Sequence, residues 1–140
     1  FERGEIDLSM SYHQANAQNK IIQGRYKPTV RTFVMKDGSI YNTHFTAIPY
    51  NAPNKAGAMA VANFILSPEA QLSKNDPNNW GDFTVLDLDK LSDKDRLKFK
   101  MIDLGKATLS LETLSKYAVP EIPSDYLEKL EDGWERNVLK

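Results

Sequence analysis

The chain has 140 residues, of which 41% are hydrophobic and 26% are charged, a composition typical of a folded globular protein. Eighteen basic and nineteen acidic residues give a formal charge of -1 and form no basic stripe, which argues against a nucleic-acid partner. The absence of cysteine excludes disulfides, zinc–thiolate sites and thiol nucleophiles, and the two histidines argue against a transition-metal site.

The N-terminal third is predicted to contain a strand, a short helix and a second strand. Ile6, Leu8 and Met10 alternate with polar residues, which is the period-two pattern of a strand with one packed face. The apolar spacing over residues 14–23 predicts a helix. β-branched and aromatic residues over 30–35 predict the second strand.

The middle of the chain contains the clearest predicted helix. An extended run over 43–50 comes first and predicts a third strand. Residues 55–66 have apolar positions at helical spacing, for which we expect core packing; they are Ala58, Val61, Ala62 and Ile65. Ser67 can cap a following helix that has Pro68 at its first position, so two helices are expected to meet there.

The C-terminal part is predicted to be mainly helical. Residues 83–88 are predicted to form a short extended piece. Ser92 with Asp95 resembles a capping box, which predicts a helix that begins there and ends at about residue 104. Another helix is expected over 111–117. The last helix begins at Ser124 and has one apolar side that must dock on something; this side contains Leu127, Leu130, Trp134 and Val138.

Two motifs carry a family resemblance. The run IPYNAPNK at residues 48–55 and the run NFILSPEAQ at 63–71 together resemble the signature of solute-binding proteins of ABC importers, of the two-lobed maltose- and polyamine-binding type. Residues 4–12, GEIDLSMSY, resemble the family's strand that ends at the ligand cleft. Residues 120–140 are similar, more weakly, to the C-terminal end of these proteins.

The resemblance implies an α/β fold that is the C-terminal portion of a two-lobed, type II periplasmic-binding-protein-like architecture. Residues 1–42 are then expected to supply a strand-helix-strand segment of lobe II. Residues 43–80 supply a crossing strand and helices of lobe I, and residues 81–140 supply C-terminal helices that pack on lobe II. The N-terminal part of the natural protein is expected to lie upstream of Phe1.

The implied function is that of an extracytoplasmic receptor, which captures a small-molecule solute between its lobes and delivers it to an ABC permease in the membrane. Such a receptor is expected in the periplasm or lipid-anchored at the cell surface, as a monomer, without cofactor or metal. We expect no enzymatic activity, because the sequence contains no nucleophile elbow, phosphate loop or helical pair of histidines. The alternative is a periplasmic enzyme or sensor domain that reuses the same fold.

Four side chains are candidate ligand contacts. By resemblance to the polyamine-binding type, Tyr12 and His13 follow the first strand, where an aromatic ring can stack on a solute. Asn42 and His44 precede Ile48, at positions where those relatives place an aromatic and a carboxylate. We expect all four to converge at one edge of the sheet; the alternative is that Tyr12 is a half-buried aromatic and His44 a hydrogen-bonded histidine within a strand.

Overall fold

The computed structural model describes residues 1–139 and consists mainly of helices. Within that range the α-helices are α1 (Asn16–Ile22), α2 (Lys55–Ile65), α3 (Pro68–Asn75), α4 (Asp93–Lys100), α5 (Leu111–Lys116) and α6 (Ser124–Asn137). Two short strands, β1 (Ser39–Ile40) and β2 (Ala118–Val119), form one sheet, and a 3-10 turn covers Leu88–Lys90. The chain is therefore a mixed but helix-rich structure with little sheet.

Helices α2 and α3 begin where the sequence predicts. The Asn54 side chain accepts a hydrogen bond from the backbone N–H of Gly57 at 2.9 Å and caps α2. The Ser67 hydroxyl accepts one from the N–H of Ala70 at 3.2 Å and caps α3, whose first residue is Pro68. Each cap satisfies a backbone donor that the helix itself leaves without a partner, so the two helices abut at Ser67 as expected.

A buried glutamine from the second motif ties α3 to its surroundings. Gln71 donates from Nε2 to the carbonyl of Ile65 at 2.9 Å, and its Oε1 accepts from the Thr84 hydroxyl and the Val85 N–H at 3.0 and 3.1 Å. Phe99 of α4 is also buried, and α4 packs against α3. Gln71 of the second motif therefore has a structural role.

The sheet pairs two distant segments in parallel. Ser39 aligns with Ala118 and Ile40 with Val119. The Ser39 N–H donates to the carbonyl of Tyr117 at 2.8 Å, and the Tyr41 N–H donates to Val119 at 2.9 Å. The pairing places residues 41–44 beside the chain that follows β2.

The three predicted strands do not form in this structure. Residues 6–11, 30–35 and 43–50 have no ladder assignment, and Ile6, Leu8 and Met10 are 54%, 71% and 89% exposed. A period-two pattern gives a segment one apolar face, but a strand also requires a neighbour that accepts and donates its backbone hydrogen bonds. Within residues 1–139 no neighbour provides such a ladder for these three segments.

The helix predictions are confirmed, but α1 covers Asn16–Ile22 rather than residues 14–23, and α4 is also shorter than predicted. Helix α4 begins after its Ser92 cap but ends at Lys100 rather than near residue 104. The Asp103 carboxylate accepts the N–H of Gly105 at 2.8 Å in a turn. An acidic residue at the negative end of a helix dipole is unfavourable, so the chain leaves the helix before Asp103.

Apolar burial is slight. Four apolar side chains of the described residues are buried, namely Ala15, Pro77, Phe99 and Ala107. In α2 the expected core stripe is only partly covered, since Ala58 and Ala62 are half-buried while Val61 and Ile65 are exposed. None of the helices in residues 1–139 combines the length and apolar character that crossing a lipid bilayer requires.

Candidate functional site

Tyr12 and His13 lie in a turn that leads directly into α1. The His13 N–H donates to the Ser11 hydroxyl at 3.2 Å, and the His13 carbonyl accepts the N–H of Asn16 at 3.1 Å. The Tyr12 ring is fully exposed, whereas His13 is half-buried. The two neighbours therefore face different surroundings, one towards solvent and one towards the body of the chain.

Helix α1 is held to the segment after α3 by polar contacts, which we call the α1 junction. Gln14 donates from Nε2 to the Asp82 carboxylate at 2.9 Å and to the carbonyl of Gly81 at 3.3 Å. Asn19 donates from Nδ2 to the carbonyl of Trp80 at 2.8 Å. The α1 junction comprises these groups together with Lys74, and it fixes the turn that contains Tyr12 and His13.

An ion pair completes the α1 junction. The Lys74 ammonium lies 3.0 Å from Asp82 Oδ2 and donates to the carbonyl of Phe83 at 2.6 Å. Burial on its own raises the pKa of Asp82, but the hydrogen bonds from Gln14 and Lys74 and the charge of Lys74 outweigh burial and lower it below its ordinary value. The carboxylate is thus charged throughout the neutral range.

Close packing sets the distance between α1 and this segment. Ala15 is completely buried, and Gly81 is buried with a positive φ of 85°. A Cβ at Gly81 would lie 2.5 Å from the Cβ of Ala15 and 3.1 Å from the Cα of Pro77. Glycine is therefore required at position 81 both by the backbone conformation and by the contact.

Some polar atoms around the α1 junction have no hydrogen-bond partner in residues 1–139. They are His13 Nε2, Asn19 Oδ1 and Asn75 Oδ1, all shielded from solvent. Buried polar atoms are normally paired; here the two amide oxygens are free to accept a further bond, and the imidazole nitrogen is free to accept or donate one. Of the four predicted ligand contacts, His13 is the one whose side chain adjoins the α1 junction.

Asn42 and His44 lie just after β1, in a different setting. Asn42 donates from Nδ2 to the Glu121 carboxylate at 2.7 Å, a contact made possible because β1 and β2 run in parallel. His44 is exposed, and its side chain makes no hydrogen bond within the described part of the chain. The alternative of a bonded histidine inside a strand is therefore not observed.

The four predicted residues lie in two segments, Tyr12 and His13 before α1 and Asn42 and His44 after β1. No hydrogen bond among residues 1–139 joins Tyr12 or His13 to Asn42 or His44, so the convergence of all four at one sheet edge remains a prediction. Neither Asp82 nor Gln14 was among the residues predicted from the sequence. Their contact spans 68 positions, and no local pattern indicates it, since Gly81-Asp82 after a polar loop indicates only a turn.

A separate shallow groove of about 450 Å³ lies between α3 and α4. Its polar lining includes Glu69, Asp76, Lys98 and Asp103. None of the four predicted ligand contacts lines it. No group of three or more histidine or acidic side chains suited to a metal ion occurs within residues 1–139.

Comparison with known proteins gave one family and one relative. The family model described as bacterial extracellular solute-binding protein matches residues 1–72. Protein YnjB of Escherichia coli (strain K12) is 47% identical over 93 residues, which are 66% of this chain and 24% of YnjB. The chain thus spans about a quarter of the length of the curated relative it matches. No solved structure matched.

Proposed function

Because this chain belongs to the bacterial extracellular solute-binding protein family, we propose that it is the C-terminal part of a two-lobed receptor of an ABC importer. The receptor captures a small solute between its lobes and presents the closed form to a membrane permease. Its place is the periplasm or, with a lipid anchor, the cell surface. The solute-binding family favours a binding protein over an enzyme.

The turn at Tyr12 and His13 carries the proposal. The fully exposed Tyr12 ring precedes the half-buried His13 in a turn that leads into α1, and the Nε2 atom of His13 has no hydrogen-bond partner in residues 1–139. Binding sites in proteins combine apolar or aromatic surface with a few fixed polar groups. Tyr12 would stack on the solute and His13 Nε2 would donate to it or accept from it.

Asn42 and His44 are proposed as the other half of the contact set. Asn42 already binds Glu121, so a carboxylate stands next to an amide at this place. Together these groups can accept and donate hydrogen bonds to a polar solute. His44, which is exposed, can in addition change charge close to neutral pH.

The division into lobes proposed above puts the α1 junction at a boundary. Residues 1–42 and 81–140 would belong to lobe II and residues 43–80 to lobe I. Asn19 contacts Trp80 and Gln14 contacts Gly81 and Asp82, where the chain would return from lobe I to lobe II. A fixed junction there would hold the turn at Tyr12 and His13, which we call the ligand turn, while the lobes close.

A thermal-shift screen of the complete receptor tests the proposal. Polyamines, thiamine-like compounds, sugars, metal chelates and organic anions are the probes, because a solute selective for the native state raises its melting temperature. With the solute found, Tyr12→Ala is expected to weaken binding by about 1–3 kcal/mol, as for an anchoring aromatic. The control is Tyr50→Ala, another exposed tyrosine, which should bind normally.

Two results would count against this function. If none of the five solute classes stabilises the receptor, capture of a small solute is refuted. If Tyr12→Ala and Tyr50→Ala both bind as the wild type does, the ligand turn has been assigned to the wrong place.

A further inference from the structure

The two strands of the sheet run in parallel, so the chain leaves both of them at the same end. Strand β1 continues into residues 41–44 and β2 into residues 120–123. In open α/β sheets, ligands bind at the carboxyl ends of parallel strands. The segments after β1 and β2 therefore lie at the end of the strand pair where solute recognition is expected.

Glu121 brings a negative charge to this end of the sheet. It is the only acidic or basic residue in the segments 40–54 and 117–124, which otherwise contain the titratable His44. Its side chain is exposed, and none of the ion pairs within residues 1–139 includes it. The carboxylate is therefore available to a positively charged partner from outside the described chain.

The hydrogen bond from Asn42 determines which groups this pair offers to a solute. Asn42 donates from Nδ2 to Glu121 Oε1 at 2.7 Å. An ionised carboxylate only accepts hydrogen bonds, so the amide must present its NH₂ group to Glu121 and keep its carbonyl oxygen free. No hydrogen bond within residues 1–139 uses Asn42 Oδ1 or Glu121 Oε2. The pair therefore offers two free acceptor oxygens and one negative charge.

We propose that Glu121 contacts the solute and that the solute is an organic cation with N–H groups, such as a protonated amine, amidine or guanidine. A charged N–H donor forms its strongest hydrogen bonds with a carboxylate, whereas a carboxylate or phosphate of the solute would be repelled. This inference rests on the proposed function and adds a contact residue and a solute class to it. Glu121 lies outside residues 1–72, which the family model matches.

The alternative is that Asn42 and Glu121 only tie the segments after β1 and β2 together. Such a tie requires an acceptor at position 121 but no charge. Glu121→Gln keeps a carbonyl oxygen that can accept the bond from Asn42 and removes the charge. A tie therefore survives this substitution, whereas recognition of a cation does not.

Thermal shift followed by titration calorimetry on the complete receptor tests the inference. The probes are spermidine, agmatine and thiamine as cations with N–H groups, choline as a cation without them, maltose as a neutral solute and citrate as an anion. We expect one of the first three to raise the melting temperature most. Glu121→Gln should weaken the binding of that cation about 10- to 100-fold, as for the loss of a hydrogen bond to a charged group.

Two controls separate recognition of charge from a structural role. Glu112→Gln, on another exposed glutamate, should bind the cation as the wild type does. Added salt should weaken binding of the cation to the wild type more than to Glu121→Gln, because salt screens the attraction between charges. The melting temperature of the receptor without solute should be the same in Glu121→Gln and Glu112→Gln.

The other outcomes overturn the inference. If choline, a neutral solute or an anion stabilises the receptor most, the solute class is wrong while the proposed function stands. If Glu121→Gln binds the cation as well as Glu112→Gln does, or shows the same salt dependence as the wild type, Glu121 is only a tie. If no solute stabilises the receptor, the proposed function fails and the inference fails with it.

Discussion

The α1 junction and helix α6 are opposite cases of how a helix is held. Helix α1 has seven residues and a modest apolar pattern, yet the turn before it includes a completely buried alanine. Gln14 in that turn and Asn19 in the helix bind partners more than sixty positions away. Helix α6 has fourteen residues and a clear apolar side, yet none of its residues is buried.

The difference shows that an apolar stripe on a helix indicates that the helix needs a partner surface. It does not indicate which surface the helix contacts. The need of α6 for a partner surface can be predicted from the spacing of its apolar residues alone. The contacts of α1 depend on amide and carboxylate groups placed within hydrogen-bond distance of one another, which spacing does not reveal. Changes in the two regions should therefore have very different effects on local stability.

The largest effect is expected from Gly81→Ala in the α1 junction. The new Cβ meets Ala15 and the residue must keep a positive φ, so the free energy of opening α1 should fall by about 2–4 kcal/mol. Amide hydrogen exchange at Asn19 and Gln23 measures it. Gly4→Ala is the control, since Gly4 has a positive φ but no neighbour within 4 Å. Equal losses in the two variants would contradict the packing argument.

A smaller effect is expected from Asp82→Asn, which keeps the shape but removes the charge. Loss of charge-assisted bonds to Gln14 and Lys74 should lower the free energy of opening α1 by about 1–2 kcal/mol at neutral pH. Hydrogen exchange of α1 at pH 7 provides the measurement. Asp7→Asn, on an exposed aspartate, is the control and should change nothing.

The same variant should remove an acid dependence of the α1 junction. The folded pKa of Asp82 lies below its unfolded value, which is about 3.9. The stabilisation of α1 by the Asp82 carboxylate is therefore fully present above about pH 4. It is lost as the pH falls through the folded pKa of Asp82. The opening free energy of α1 should decline with acid in the wild type and stay flatter in Asp82→Asn. Parallel declines would refute the role of Asp82.

A smaller effect on stability is expected at the start of α3, a helix that hydrogen bonds also anchor. Ser67→Ala removes the cap on the Ala70 N–H. The free energy of opening α3, measured by amide hydrogen exchange, should fall by about 1 kcal/mol. Ser67→Asp should retain most of the stability, because aspartate caps equally well. A loss of equal size in both variants would mean that the cap is not what the serine provides.

The smallest effect is expected on α6. Arg136 lies 3.1 Å from Asp132 one turn away, but both side chains are largely exposed. Arg136→Ala should change the helix content of α6 by an amount that corresponds to at most about 0.5 kcal/mol. Circular dichroism of the chain checks this. A larger loss would contradict the assignment of Arg136–Asp132 as an exposed ion pair of small effect.

The sequence alone identified the family and located most helices. The resemblance drawn from residues 48–55 and 63–71 is confirmed by the family match. Helices α2, α3 and α6 begin within a residue of their predicted starts. These features are local, since a cap, a proline or an apolar period acts within a few residues of itself.

Only the tertiary structure decided the sheet and the α1 junction. The predicted strands lacked a ladder within residues 1–139, while β1 and β2 paired although no pattern indicated them. The junction depends on Gln14 meeting Asp82 and on Ala15 meeting Gly81. Strand pairing and long-range hydrogen bonds join segments that are distant in sequence, so they are set by how the whole chain packs, and no local pattern specifies them.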